Sequence, residues 1–202
     1  MTLFSLDLLR SAEREIRSTL DLIQTDEYAL LRPAACWGAF AGLFGFASNE
    51  LLVVLTGEPE PVDAVRARLA ALPGIRIALS HLFEPTVRPT SAAPMTATEG
   101  IYVFRFFDVA SSDVDRAVSL SADAWEHFVD SERYRAEPQA LFREHQPDGD
   151  LTKMLLVTWY DGFGSWELSR NPASEARELF RRRRELTLSS VAYPTRLIAS
   201  RR

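Results

Sequence analysis

Arg105 stands in the middle of an aromatic run, Ile101-Tyr102-Val103-Phe104-Arg105-Phe106-Phe107. Alternation along a strand puts it on the face of Ile101, Val103 and Phe107, with Tyr102, Phe104 and Phe106 opposite. A guanidinium among such neighbours needs a partner, because an unpaired buried charge is costly. Its rigid donor fork suits an anion or a carbonyl oxygen. A structural ion pair with a carboxylate such as Glu144 is the other solution. His127, in Ala-Asp-Ala-Trp-Glu-His-Phe, is the second candidate. An ordinary histidine is poised to move a proton near neutral pH, or it could ligate haem iron; the plainer reading is a partly exposed helix residue. Together they suggest a catalytic pair, Arg105 for an oxyanion and His127 for a proton. Phe107, Trp125, Trp159, Trp37 and His81 are candidates to line a pocket for a flat hydrophobic ligand, or equally to fill a core. His145 reads as a turn residue.

Other chemistry is poorly served. Cys36 is the single cysteine, so neither an intramolecular disulfide nor a cysteine-cluster zinc site exists. The three histidines lack metal-site spacing, and no metal is expected. Gly38, Gly42 and Gly45 fall within a strand-like segment and read as a bend or bulge, with close approach of a ligand to backbone as the sharper alternative. Ser165 lacks the spacing of a nucleophile elbow and reads as a helix N-cap. The basic residues are 22 arginines and one lysine, Lys153, a bias that fits a GC-rich bacterial genome. Only Lys153 could form a Schiff base, and no Gly-Lys pair supports a P-loop. Net charge is −5, which disfavours nucleic acid as a partner. Arg181 to Arg184, with Glu175, Glu178 and Glu185 nearby, read as a solvated, salt-bridged helix face. No apolar run approaches the roughly 18 residues of a membrane span. No signal peptide is evident either, so a cytoplasmic protein is expected.

The elements that would position these residues form a repeat. Strands are expected near 3–9, 36–46, 51–56 and 75–88, with helices over 11–31 and 61–72. After a Pro/Ser/Thr/Ala-rich stretch at 90–99 the pattern restarts. Strands fall near 101–107, 138–145, 154–160 and 188–199. The helices are 112–134 and a Pro172-broken pair at 165–171 and 174–185. Each half reads β-α-β-β-α-β, the ferredoxin-like unit. Leu43-Phe44 matches Leu141-Phe142, Leu51-Leu52-Val53 matches Leu155-Leu156-Val157, and Pro85-Thr86 matches Pro194-Thr195. The fold class is therefore α+β: repeat 1 over 1–89, a linker at 90–99 and repeat 2 over 100–202. The continuous apolar runs 51–55 and 154–157 imply strands covered on both faces. Sheet against sheet achieves that, and eight strands so closed leave room for packed side chains or one small ligand.

The first strand, Ile101-Tyr102-Val103-Phe104-Arg105-Phe106-Phe107, has the form (I)YxxRx(Y/F). The segment Leu155-Leu156-Val157-Thr158-Trp159-Tyr160-Asp161 is followed by Ser165-Trp166-Glu167. On these motifs residues 100–199 resemble the dimeric α/β-barrel superfamily, and within it the NIPSNAP-type domains. Repeat 1 joins the resemblance only through the internal repeat, and it has no arginine at the place of Arg105. The resemblance implies a barrel, here intramolecular, in a monomer that is a pseudo-dimer or in a homodimer. It also implies a range of functions: cofactor-free monooxygenases on aromatic compounds, isomerases, haem-binding proteins and members without known activity. Fold does not choose among them. The readings carried forward are a barrel that binds or transforms a small hydrophobic or aromatic carbonyl compound without a cofactor, a non-catalytic interaction protein with a packed barrel, and, more weakly, a haem-binding barrel.

Overall fold

In the computed structural model the described residues are 1–24, 29–93, 95 and 98–199. The first repeat runs β1 (Leu3–Ser11), α1 (Arg17–Gln24), β2 (Ala35–Gly42), β3 (Glu50–Gly57), α2 (Pro59–Ala70) and β4 (Ile75–Arg88). The second runs β5 (Ile101–Ala110), α3 (Val114–Phe128), β6 (Ala136–Glu144), β7 (Leu151–Tyr160), α4 (Phe163–Leu168), α5 (Ser174–Leu186) and β8 (Thr187–Ala199). The fold is α+β, with two β-α-β-β-α-β repeats as expected. The eight strands hydrogen-bond in the order β1-β3-β2-β8-β5-β7-β6-β4. β4 pairs in turn with β1, so the order is cyclic.

Two compact units result, and each takes one end of β4 and of β8. The first holds Met1–Glu84, Ser91–Thr98 and the chain from Tyr193; the second holds Pro85–Thr90 and Glu99–Ala192. In the first unit β1 lies between β3 and β4, and β2 pairs with β3 and with the end of β8 through Phe40↔Leu197 and Gly42↔Thr195. In the second, β7 lies between β5 and β6. There Thr86 Oγ1 and Arg88 Nη1 each donate at 2.7 Å to β6, at the carbonyls of Leu141 and Pro138.

One face of each sheet is covered by its own helices. In the first unit Leu9, Leu51, Val53 and Leu55 pack on Ile23 of α1 and on Val62, Val65 and Leu69 of α2. In the second, Phe107, Val109, Met154 and Leu156 pack on Val114, Ala117 and Trp125 of α3, with Phe180 and Leu186 of α5 beside them. The buried positions of α3 recur every three or four residues, from Val114 and Ala117 to Ala124, Trp125 and Phe128, as an amphipathic helix requires.

Local departures have local causes. The helix expected over 11–31 begins only at Arg17, because Ser11 ends β1 and its Oγ accepts the Glu13 N–H at 3.0 Å in a side-chain turn. Residues 25–28 of that helix lie outside the described residues. Gly38 follows a register shift between Cys36 and Gly38 in the β2–β3 pair, and a Cβ on it would stand 2.7 Å from the Phe40 ring. Ser165 is not an N-cap. Gly162 is, and Ser165, inside α4, instead accepts the Arg135 N–H at 3.0 Å. Among the described residues no helix is long and apolar enough to cross a membrane.

Candidate functional site

A cavity of about 640 Å³ lies within the second unit, between the helix-covered face of its sheet, α3, α5 and the segment that joins α4 to α5. Val103, Arg105 and Phe107 of β5 and Leu156, Thr158 and Tyr160 of β7 form its floor. These are alternate residues, brought level by the pairs Val103↔Thr158, Arg105↔Leu156 and Phe107↔Met154. Trp125 and Phe128 of α3 and Phe180 of α5 supply aromatic walls.

The charge lining this cavity is of one sign. Six arginines reach it, Arg105, Arg170, Arg177, Arg181, Arg183 and Arg184, and among the described residues no aspartate or glutamate does. Arg105 has neither a hydrogen-bonded nor an ion-paired partner among the described residues. The expected alternative, an ion pair with Glu144, does not form. β6 neighbours β7 and β4, not β5, and the Glu144 carboxylate accepts the Lys153 N–H at 3.3 Å. Burial makes the Arg105 cation harder to hold, as do Arg170 and Arg184; Tyr160 opposes them. Arg183 is destabilised in the same way, by burial first and then by Arg105. Its Nη1 donates to Ser121 Oγ at 3.1 Å, and its guanidinium lies 5.6 Å from the Phe107 ring centroid and 5.1 Å from that of Phe180. Arg181 is neutralised, with Glu178 on one side at 2.7 Å and Glu185 on the other.

Tyr160 is the neutral member of the lining. Burial raises its pKa, although hydrogen bonds with Ser169 and Thr158 and the nearby Arg105 and Arg170 pull it down. At neutral pH it is a phenol that can donate, not a phenolate. The lining offers proton donors and cations but no histidine or carboxylate to act as a base.

The expected site residues fall in different places. Arg105, Phe107 and Trp125 line the cavity. His127 does not: Trp125 and Phe128 take the buried side of α3, and the two residues between them, Glu126 and His127, are exposed. His127 instead borders a separate depression with Asp130, Ser131 and Tyr134. Trp159 lies on the other face of β7 from Thr158 and Tyr160, and its Nε1 donates to the Glu99 carbonyl at 3.1 Å. Trp37 and His81 belong to the first unit. Trp37 meets Phe4 edge-on at 5.8 Å, and the His81 ring lies 5.7 Å from Phe83. Arg105 opens toward the helices of its own repeat. Tyr160, Phe180 and the arginines of α5 were not foreseen. Their signal was the spacing Arg177, Phe180, Arg181, Arg184, which is one helical face; only Arg181 of that set fits the expected salt-bridged surface.

A haem iron needs an axial histidine, cysteine, methionine or tyrosinate. The cavity offers only Tyr160, held as its phenol, and His127 lies outside it. These residues do not fit haem ligation.

No family model matches the chain, and no curated protein matches it. Solved structures do. An anthrone oxidase-like protein superimposes with a TM-score of 0.69 at 14% identity, over 99% of this chain and 92% of its own. A protein from Fusobacterium nucleatum, provisionally named a monooxygenase, gives 0.65 at 9% identity, over 98% and 93%. A haem-binding protein from Thermus thermophilus gives 0.58 at 11% identity, over 98% and 91%. At such identities the likeness is one of fold alone, that of two tandem ferredoxin-like repeats.

Proposed function

We propose that the second repeat binds a planar aromatic carbonyl or phenolic compound as its anion and, without a cofactor, exposes that anion to dioxygen. The observation that carries this reading is Arg105, a mid-strand guanidinium with no carboxylate partner, in an aromatic-walled cavity that holds five more arginines and no acid. Fixed cations around a site favour the ionised form of a weakly acidic ligand. Arg105 receives the oxyanion and Tyr160 donates a second hydrogen bond to it. Trp125, Phe128 and Phe180 hold the flat body. With no base in the lining, the proton leaves to solvent through the mouth, and His127 has no part in the step. The likeness in fold to an anthrone oxidase-like protein supports the choice of a carbon acid that becomes aromatic when ionised.

For anthrone the balance is simple. The methylene carbon loses a proton to water, the carbanion takes up one dioxygen and a proton to give a hydroperoxide, and loss of one water leaves the quinone carbonyl. No external reductant is required. The test combines oxygen uptake with absorbance. We expect anthrone to ionise on binding, one dioxygen to be consumed per anthrone, and Arg105→Met to abolish the bound anion while the protein stays folded. Wild-type protein that leaves the anthrone spectrum unchanged, or a variant equal to wild type, would overturn the reading.

A further inference from the structure

The cavity's arginines fall into two tiers. Arg105 and Arg183 are half-buried, at the sheet and the inner side of α5, whereas Arg170, Arg177 and Arg184 are exposed at the mouth. One negative oxygen at Arg105 answers only the inner tier. In the outer tier Arg177 is partly engaged, donating from Nη2 to the Pro172 carbonyl at 3.0 Å. Arg170 and Arg184 have neither a side-chain hydrogen bond nor an ion pair among the described residues. Both lie close enough to oppose the charge on Arg105. Two unanswered guanidiniums stand at one opening in a chain whose net charge is −5. Arg181, on the same helix face, shows the ordinary outcome, since two glutamates neutralise it. Phe107 and Phe180 lie against Arg183, and Phe180 shares the α5 face of Arg177 and Arg184, so a ligand that satisfies both tiers has charge at two ends of an apolar body.

From this arrangement we infer that the ligand is an elongated aromatic acid with two acidic groups: an ionisable oxygen for Arg105 at the inner end and a permanent carboxylate for Arg170 and Arg184 at the mouth. The inference rests on the anion-binding reading above and adds the second charge. Guanidiniums suit this role because their forked donors take a carboxylate through two hydrogen bonds. The inner group is the one whose ionisation matters to chemistry. The outer carboxylate orients the body and raises affinity through a charge that is present throughout.

Titration of tryptophan fluorescence with 2-naphthol and with 6-hydroxy-2-naphthoate separates the two ideas, because the second probe adds only the distal carboxylate. We expect the hydroxy acid to bind at least tenfold tighter. In the double variant Arg170→Gln/Arg184→Gln the hydroxy acid's advantage over 2-naphthol disappears while 2-naphthol binding still depends on Arg105; Arg170→Lys/Arg184→Lys retains part of that advantage. Arg105→Met weakens both probes. Equal affinity of the two probes, with dependence on Arg105 retained, overturns the second-charge inference and leaves the anion-binding reading standing. Failure of Arg105→Met to weaken either probe overturns both. The mouth substitutions are on exposed side chains, and an unchanged thermal midpoint shows that each variant is folded.

Discussion

At one strand position the two repeats carry opposite charges and treat them in opposite ways. Asp7 is the fifth residue of β1 and faces Val53; Arg105 is the fifth of β5 and faces Leu156. Both sit on the helix-covered face. Asp7 is fully buried and enclosed by partners: Ser5 Oγ donates at 2.7 Å, Ser80 Oγ donates, and Arg66 Nε of α2 approaches to 3.4 Å. Leu9, Val53, Val62, Val65 and Leu69 fill the space around it. Arg105 meets an open cavity and other cations instead. A charge answered by its own chain is structural; one left unanswered in a cavity is an invitation to a ligand. The helix-covered face of the first repeat is filled by side chains, and that of the second holds a cavity.

The contrast can be broken by experiment. The largest effect belongs to Asp7→Ala. It removes the acceptor of the Ser5 and Ser80 hydroxyls and of Arg66 Nε, although Arg66 keeps Asp63 and Ser80, and urea unfolding should show a loss of about 3 kcal/mol. A loss below about 1 kcal/mol would mean the network is dispensable. Arg105→Met should do the reverse, leaving stability equal or slightly higher because mutual repulsion is relieved. It should lower the affinity for 2-naphthol at least tenfold, about 1.4 kcal/mol of binding; calorimetry on the variant reads both. A third test uses Cys36 of the first unit, whose thiol is pushed up from 9.0 to about 12 by burial, with a hydrogen bond from Gly38 opposing. The unfolded chain then gives up its proton first. Stability is intact below about pH 9 and declines as pH rises from there toward 12, by at most about 1.4 kcal/mol per pH unit. Cys36→Ala should flatten that alkaline slope, measured by urea midpoints from pH 8 to 10. The smallest effect is expected at Arg181→Ala, whose exposed pairs with Glu178 and Glu185 should contribute nothing visible in the thermal midpoint.

Much of the architecture was legible in the chain. The order of elements, the span of β4 and the break of the last helices at Pro172 follow from periodicity and proline. The repeat itself was legible, but one support for it was misaligned. Leu51-Leu52-Val53 was matched to Leu155-Leu156-Val157, yet Leu51 and Val53 face the helices, as do Met154 and Leu156. The structural equivalents are therefore offset by one residue. A strand has a period of two, so such an offset exchanges its faces while the letters still agree. The site was half legible for a related reason. Arg105, Phe107 and Trp125 announce themselves as a charge and large rings where burial is expected. His127 drew attention by residue type alone, and its place on the outward side of α3 made that type irrelevant. The arginines of α5 were hidden in a run that looks like any solvated helix.

By itself the sequence determined which segments are strands and helices, that they occur twice, and that Arg105 shares a face with Val103 and Phe107. These are properties of local spacing and of side-chain size and charge. Tertiary structure decided which face of the sheet is open. It brought α5, some 70 residues downstream, over Arg105 so that separate guanidiniums became one lining. It also kept every carboxylate out of that lining. Like charges converge in this way only when packing elsewhere bears the cost, and no local pattern in the chain records where that packing will be.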